Sequence, residues 1–391
     1  MPCTTFGAEG FRIYLDNSTD YSRPDGSVLL AEKAPGVPVA YFGGPMLPQF
    51  YTNELLNYFN RLGYSPIGAL LDKDVRRRIV SGIVGLLGDK QGNLFSSVED
   101  DLNATFDGLV ALSERDRPLY RQWTQDTGKK NRTLSTPQEP LEHLLREYVS
   151  PIVMQAPLHP CAHGGEVGWS AARSLACHLP LGSVLSFDLT NAFQNTGIQY
   201  VFDFYYGFLH ERLGDEELAR DLSGFLATAS TVRYRDNGTT PGLPQGSPLS
   251  MALFNRLFYP VDCLIAEKCS KRNLRYTRWV DDLTISARER DRRFDKVAGV
   301  MAFVREDFPI ATHKIFWQQD KPEYYLLGHK ILGNLIVKVS DEESRNRGEP
   351  VHEDAFRNRW ELEHSWMHDG ADDFSDEFSD FVDENGEKIV F

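Results

Sequence analysis

The sequence predicts an α+β fold on three observations: helical periodicities crowd the first third of the chain, short apolar segments suited to strands recur from residue 183 onward, and no internal repeat organises them. With 391 residues, 41% hydrophobic and 12% aromatic, the chain is long enough for two or three domains with a substantial core.

Residues 17–48 are rich in Gly, Pro and Asp (RPDGS, APGVP, FGGP), which suits turns joining short strands such as SVLL and VAYF. FYTNELLNYFNRLG places apolar residues at three- and four-residue spacing and predicts a helix. SSVEDDLNATFDGLVALSERD predicts another, opening with Ser96 three before Glu99 as in a capping box. QDTGKKNRTLST, 125–136, predicts a basic hairpin, and PQEPLEHLLREYVSPIV an amphipathic helix with Pro140 in its first turn. SVLSFDL, 183–189, is a predicted strand carrying Asp188. The loop GLPQGSP then leads into one helix with Leu253, Leu257, Val261 and Leu264 on a face. Two strands flank Asp281 and Asp282, and YYLLGHKILGNLIVKV predicts a further β hairpin.

Net charge is −14 and unevenly spread: residues 341–391 hold 17 acids against 5 Lys and Arg, a net of −12, leaving −2 for the rest. Within that tail Phe374, Phe378 and Phe381 recur at helical spacing. It reads as a solvated acidic end, with a docking or autoinhibitory segment that mimics nucleic acid as the alternative. Five cysteines without a C-x-x-C fit reduced thiols. HPCAH, with Cys177 and His178 beyond it, supplies zinc-ligand types without a standard zinc spacing. No run of 18 apolar residues occurs, and MPCTTFGAEG lacks the basic end and apolar core of a signal peptide. The cytoplasm is the expected location, with no membrane partner.

RWVDDLTIS, residues 278–286, sets two adjacent carboxylates inside a strand-like run. Alone, a DD pair is most simply an exposed turn. If the strand bearing Asp188 lay beside this hairpin, three acids would gather hard oxygen ligands of the kind Mg²⁺ prefers. Two such ions can activate an attacking hydroxyl and stabilise a leaving oxygen in phosphoryl transfer.

FDLTNAF, GLPQGSPLSMALFN and YTRWVDDLTIS, in that order and spacing, resemble the palm motifs of reverse transcriptases, most closely the bacterial retron, group II intron and defence-associated kinds. GKKNRTLSTPQEPLEHLLR, AHGGEVGWSAARSLACH, THKIFW and YYLLGHKILGN fall in order around them, so the resemblance runs from about 116 to 340. It implies a right-hand polymerase with a helical N-terminal extension (1–115), fingers (116–182), a ferredoxin-like palm (183–340) and an acidic C-terminal region or reduced thumb (341–391). It further implies an RNA-directed DNA polymerase working with two Mg²⁺ ions on dNTPs, with a noncoding RNA as template or primer and DNA as product. Antiphage defence, and assembly with RNA, a partner protein or a second copy, are implied with it.

By position the resemblance gives Asp188 and Asp281 both metals, with Asp282 as the supporting acid. Lys314 falls near the triphosphate, where a cation assists the leaving pyrophosphate. Phe193 matches the aromatic beneath the sugar that leaves no room for a 2′-hydroxyl. Gln245 and Gly246 lie on the loop that positions template base and nucleotide, and Leu327 and Gly328 on the hairpin that grips the primer. Asn255, in the helix after that loop, reads as structural. Arg132 matches a fingers contact.

Departures point to rewired triphosphate contacts. Trp279 stands where the family has Tyr. Gly168-Trp169-Ser170 replaces G-R-S, so Arg173, four residues on, is the expected substitute for the missing arginine. Gln125 stands where lysine is usual, with Lys129 or Lys130 as replacement. The acidic total also runs against a protein that holds nucleic acid by its phosphates. Of two basic runs, Lys268, Lys271, Arg272, Arg275 and Arg278 read as a local nucleic-acid patch, with a solvated helix face as the alternative, whereas Lys73 with Arg76, Arg77 and Arg78 reads first as a solvated helix face and second as such a patch. Two other readings stay open: template-independent or protein-templated and protein-primed DNA synthesis by the same site, and a non-catalytic RNA-binding assembly subunit.

Overall fold

The structure is a computed structural model. It describes residues 49–87, 95–126, 131–234, 241–289, 308–311 and 314–339, positions 297, 300, 301 and 304, and two short antiparallel strands, β1 (Phe11–Arg12) and β2 (Glu32–Lys33). The expected strands SVLL and VAYF, Lys129 and Lys130 of the hairpin, and the acidic tail with its reduced thumb lie outside the described residues. The contacts divide the chain into two compact units that interleave along the sequence: residues 36–158 with 191–259, and residues 1–35 with 159–190 and 260–391. The divisions expected from sequence follow motifs, whereas these units follow contacts.

The first unit is mainly helical. Helix α1 (Gln49–Leu62) closes on Gly63 at φ 80°, whose N–H donates to the Phe59 carbonyl at 2.8 Å; glycine adopts this left-handed conformation without a steric cost. Helix α2 (Pro66–Leu71) starts with Pro66 behind Ser65, whose Oγ accepts from the Ile67 N–H. Helices α3 (Lys73–Leu87) and α4 (Phe95–Glu114) follow, the latter starting at Phe95, before the expected Ser96 cap. Strands β3 (Tyr120–Asp126) and β4 (Asn131–Pro137) pair antiparallel as the expected hairpin.

The next helix is continuous but changes pitch. It runs through α5 (Glu139–His143), a π-helical stretch over Leu144–Val149 and α6 (Ser150–Val153). The widened turns precede Pro151, which lacks the N–H that an α-helical bond to Glu147 requires. Helices α8 (Ala192–Asn195), α9 (Ile198–Leu213), α10 (Glu216–Ser230) and α11 (Ser250–Leu257) complete the unit. Their core is aromatic, with the rings of Phe106 and Phe225 edge to face at 5.4 Å. A Cβ on Gly224 would meet the Tyr58 ring at 2.3 Å, so α1 and α10 approach too closely for any side chain there.

Arg76 and Arg78 form neither a solvated face nor a nucleic-acid patch but serve this packing. Arg78 pairs with the fully buried Asp221, which also binds Arg61, and Arg76 binds Asn103 and Asp107. Their charges are neutralised within the fold.

The second unit contains α7 (Ala171–Ala176), α12 (Tyr259–Lys271) and a four-stranded antiparallel sheet in the order β6-β7-β5-β8. Its strands are β5 (Ser183–Asp188), β6 (Arg275–Trp279), β7 (Asp282–Ala287) and β8 (Phe316–Gln319). Period-two alternation sends Leu185, Phe187, Leu283 and Ile285 to one face, all fully buried. On the other face Val184 packs with Leu175 of α7 and with Tyr324, Leu326 and Ile331.

Two expectations are corrected. The single helix after GLPQGSP is α11 and α12 with a break at Phe258, because Pro260 cannot donate the bond that would continue the first helix. YYLLGHKILGNLIVKV is not a hairpin but three strands, β9 (Tyr324–Leu326), β10 (His329–Leu332) and β11 (Leu335–Lys338), because Leu327 and Gly328 turn at positive φ. Among the described residues no helix is long and apolar enough to cross a membrane.

Candidate active site

Strand register assembles the acids. Asp188 ends β5 directly opposite Asp282, which begins β7, and opposed residues of an antiparallel pair project from the same face about 4.5–5.5 Å apart. Ser186, two before Asp188 and on the same face, donates its hydroxyl to Asp282 Oδ1 at 2.8 Å. Asp281 lies in the two-residue turn between Trp279 and Asp282, and its carbonyl accepts the Leu189 N–H at 2.9 Å. The three expected acids therefore stand on adjoining backbone.

Lys314 reaches the same place. Its Nζ forms an ion pair with Asp188 Oδ2, after the Ala311 N–H has tied that loop to the Asp188 carbonyl at 2.8 Å. Sequence placed this ammonium near a triphosphate; here it sits on the carboxylate. Among the described residues, no three His, Cys, Asp or Glu side chains form a ready metal cage.

The turn is strained and tightly enclosed. Val280 has φ 59°, a left-handed value that a β-branched residue rarely takes, and its carbonyl accepts from Arg278 Nη1 at 2.8 Å. Arg278 is fully buried against Asp262, which overturns its expected role in a nucleic-acid patch. Its neighbours in that run are also engaged: Arg275 Nη1 donates to the carbonyls of Leu179 and Pro180, and Lys271 pairs with Glu267. Burial pushes the Lys268 ammonium down to about 8. Arg278 looked like one more charge of the run because its carboxylate partner, Asp262, lies sixteen residues away on a different element.

The segment 159–182 meets the outer edge of β6 at Arg278. Arg278 N–H donates to the Cys161 carbonyl and His163 N–H to the Arg278 carbonyl, each at 2.8 Å, making a parallel bridge at Ala162. The histidines are structural. His163 Nε2 donates to the Pro160 carbonyl and Nδ1 lies 2.9 Å from Ser174 Oγ; both His178 nitrogens meet hydroxyls, Ser286 at 2.6 Å and Thr277 at 2.8 Å. These nitrogens are therefore not arranged as zinc ligands. Desolvation pushes His163 down to about 4 and His178 to about 3, so both rings are neutral.

Trp169, where an arginine was expected from the resemblance, forms a stack. Its ring lies parallel on His163, centroids 3.5 Å apart, and Arg173 covers it with Cζ 4.6 Å from the ring centre. Ser170 caps α7 by accepting from the Arg173 N–H, so Trp169 is outside the helix. Arg173 does not share a helical face with residue 169; it reaches back and donates to the Gly168 carbonyl at 2.6 Å.

The helical unit holds Arg132, Phe193, Gln245, Gly246 and Asn255, while Lys130 lies outside the described residues. Arg132 is exposed on β4 directly across from Gln125, the position where lysine was expected. Three residues on, the Ser135 N–H donates to the Gln245 carbonyl at 2.7 Å, fastening the hairpin to the Gln245-Gly246 loop. Gly246 sits at φ 116°, where a Cβ would be strained and would press on Ser135 at 3.3 Å. Phe193 is half-buried, 5.5 Å from Phe254, with its carbonyl accepting the Leu243 N–H; Asn255 is fully buried. Tyr234 escaped the sequence reading. Its hydroxyl donates to the Leu243 carbonyl at 2.6 Å and accepts from the Gln245 N–H at 2.8 Å, holding the loop from beneath.

Residues 175–331 match the reverse transcriptase (RNA-dependent DNA polymerase) family. The chain carries a reverse transcriptase domain. That segment is similar to bacterial retron reverse transcriptases. It is 29% identical over 177 residues to the retron Mx162 reverse transcriptase of Myxococcus xanthus, covering 43% of this chain and 35% of that protein. Against the retron Ec86 reverse transcriptase of Escherichia coli it is 27% identical over 169 residues, 43% of this chain and 48% of that one. The chain thus spans less than half the length of the curated relatives it matches. Among solved structures, apo telomerase from Candida tropicalis matches over 56% of this chain and 47% of that one, at 11% identity and a TM-score of 0.39, too low to carry an argument.

Proposed function

We propose that the protein is an RNA-directed DNA polymerase that extends a primer by nucleotidyl transfer. The observation that carries this reading is the pairing of Asp188 with Asp282 across β5 and β7, with Asp281 in the turn beside them, inside the segment that matches the reverse transcriptase family. In this reading the sheet is the palm, the β3–β4 hairpin belongs to the fingers, and dNTPs and an RNA template or primer are the substrates.

The donor set fits Mg²⁺. An octahedral ion of this kind takes one or two carboxylates and completes its shell with water and substrate phosphate, so an open acid pair suits it better than a closed cage. The ammonium of Lys314 seated on Asp188 supports the same reading, since it marks the carboxylate as a cation site. Asp188 and Asp281 would hold two ions, with Asp282, oriented by Ser186, as the supporting acid. Bound Mg²⁺ lowers the pKa of an attacking hydroxyl and stabilises charge on the leaving oxygen. The chain's own groups do the rest. Lys314 moves from Asp188 toward the leaving pyrophosphate and neutralises it. Gln245 and Gly246 align template and incoming nucleotide, Phe193 excludes a 2′-hydroxyl, and Arg132 and Lys130 hold the triphosphate. A defence role with a dedicated noncoding RNA belongs to the same proposal.

The test incubates purified protein and Mg²⁺ with labelled dNTPs or NTPs, with and without co-purifying RNA, and sequences the product. RNA-dependent DNA product is expected, and its loss in Asp281→Asn. Equal product from Asp281→Asn would remove the metal assignment.

A second reading, synthesis without an ordinary RNA template, draws on one observation. Arg173 is occupied by Trp169 and the Gly168 carbonyl rather than offered to a triphosphate. DNA product that is independent of RNA would favour it.

A further inference from the structure

Arg278 precedes the paired acids by three residues and has no exposure to solvent, yet its guanidinium does more than neutralise Asp262. Nε lies 2.9 Å from Asp262 Oδ1 and Nη2 2.7 Å from Oδ2, a two-point grip that fixes the plane of the guanidinium. Tyr276 donates its hydroxyl to the same Oδ1 at 2.7 Å, holding the carboxylate in turn. With its plane set, Nη1 points at the Val280 carbonyl, 2.8 Å away. The main chain of Arg278 is held on its other side by Cys161 and His163.

Val280 is the residue at φ 59°, immediately before Asp281. A β-branched side chain resists that conformation, so something must hold the peptide in it. We infer that Arg278 is a positioning residue: anchored on Asp262 of α12, it fixes the Val280 carbonyl and so presents Asp281 beside Asp188. This rests on the reading of those acids as the Mg²⁺ site. A merely structural ion pair would need only Asp262, whereas this one spends a third hydrogen bond on the catalytic turn. Lysine retains the charge but cannot grip Asp262 at two points and reach Val280 as well.

The test uses the full chain without nucleotide and measures Mn²⁺ binding by the electron paramagnetic resonance of the free ion, alongside primer extension and thermal unfolding. Arg278→Lys is expected to weaken Mn²⁺ binding about tenfold, the usual scale for a residue that orients a ligand, and to lower kcat with little change in KM for dNTP. Val280→Gly removes the strain, because glycine takes φ 59° freely, and added to Arg278→Lys it is expected to restore Mn²⁺ binding. Asp262→Asn, which keeps the volume and one acceptor, is expected to weaken binding in the same direction and to be rescued likewise; it decides the question if Arg278→Lys does not fold. Parental Mn²⁺ affinity in the folded variant, or no rescue by Val280→Gly, overturns the inference. Asp281→Asn separates the two ideas. If it leaves Mn²⁺ binding intact, the metal-site reading fails; if it abolishes binding while Arg278→Lys and Asp262→Asn do not affect it, only the positioning role fails.

Discussion

A Cβ on Gly164 would stand 2.4 Å from the backbone nitrogen of Val280 and 2.6 Å from its Cγ2. The loop carrying His163 and the turn carrying Asp281 are thus in direct packed contact, with no room for a side chain between them. Because the obstacle includes main chain, relief requires the turn itself to move. Gly164→Ala is expected to cost about 1–3 kcal/mol of stability, the usual scale for overpacking, and to reduce primer extension disproportionately. Urea unfolding and turnover measured on the same preparation check this; full activity with unchanged stability would refute it.

Acid should loosen the four-stranded sheet through His178. Its folded pKa, about 3, lies below the ordinary 6.5 because burial disfavours the charged ring. Below pH 6.5 the unfolded chain therefore binds a proton that the folded chain does not. Stability is full above that value and falls as pH drops toward 3, by roughly 1.4 kcal/mol per pH unit. His178→Gln should flatten the slope between pH 6 and pH 4, as read from urea midpoints across that interval (~2 pH units).

Lys314→Met removes the ammonium from Asp188. Nucleotide-free Mn²⁺ binding should tighten, since a competing cation is gone, while turnover should fall by roughly 10²-fold if the lysine serves the leaving group. A variant with unchanged turnover would place Lys314 outside the chemistry.

Phe193→Val should admit ribonucleotides. The ratio of kcat/KM for dNTP over NTP is expected to drop by about tenfold or more, read from competing extension assays. An unchanged ratio would reassign Phe193 to the core beside Phe254.

Local patterns carried most of what sequence alone could give. The strand-like runs at Asp188 and on either side of Asp281 and Asp282 announced three strands, and strand pairing then put Asp188 across from Asp282. What could not be read were contacts between distant segments. Arg278 looked like one charge among five, because nothing local marks Asp262 as its partner. Arg173 sat at helical spacing from Trp169, but the Ser170 cap starts the helix after the tryptophan and turns the arginine back onto it. Tyr234 gave no signal at all, since one hydroxyl among sixteen tyrosines is silent until the loop it supports is folded above it.

The bridge between Ala162 and Arg278 also bears on how the protein can be trimmed. Residues 175–331 are the part that matches the family, and a fragment cut there would discard 159–174. The outer edge of β6 would then expose the amide and carbonyl of Arg278, a foothold for pairing with other chains, and the turn before Asp281 would lose its wall at Gly164. Such a fragment should aggregate, whereas one beginning ahead of His159 keeps its edge covered.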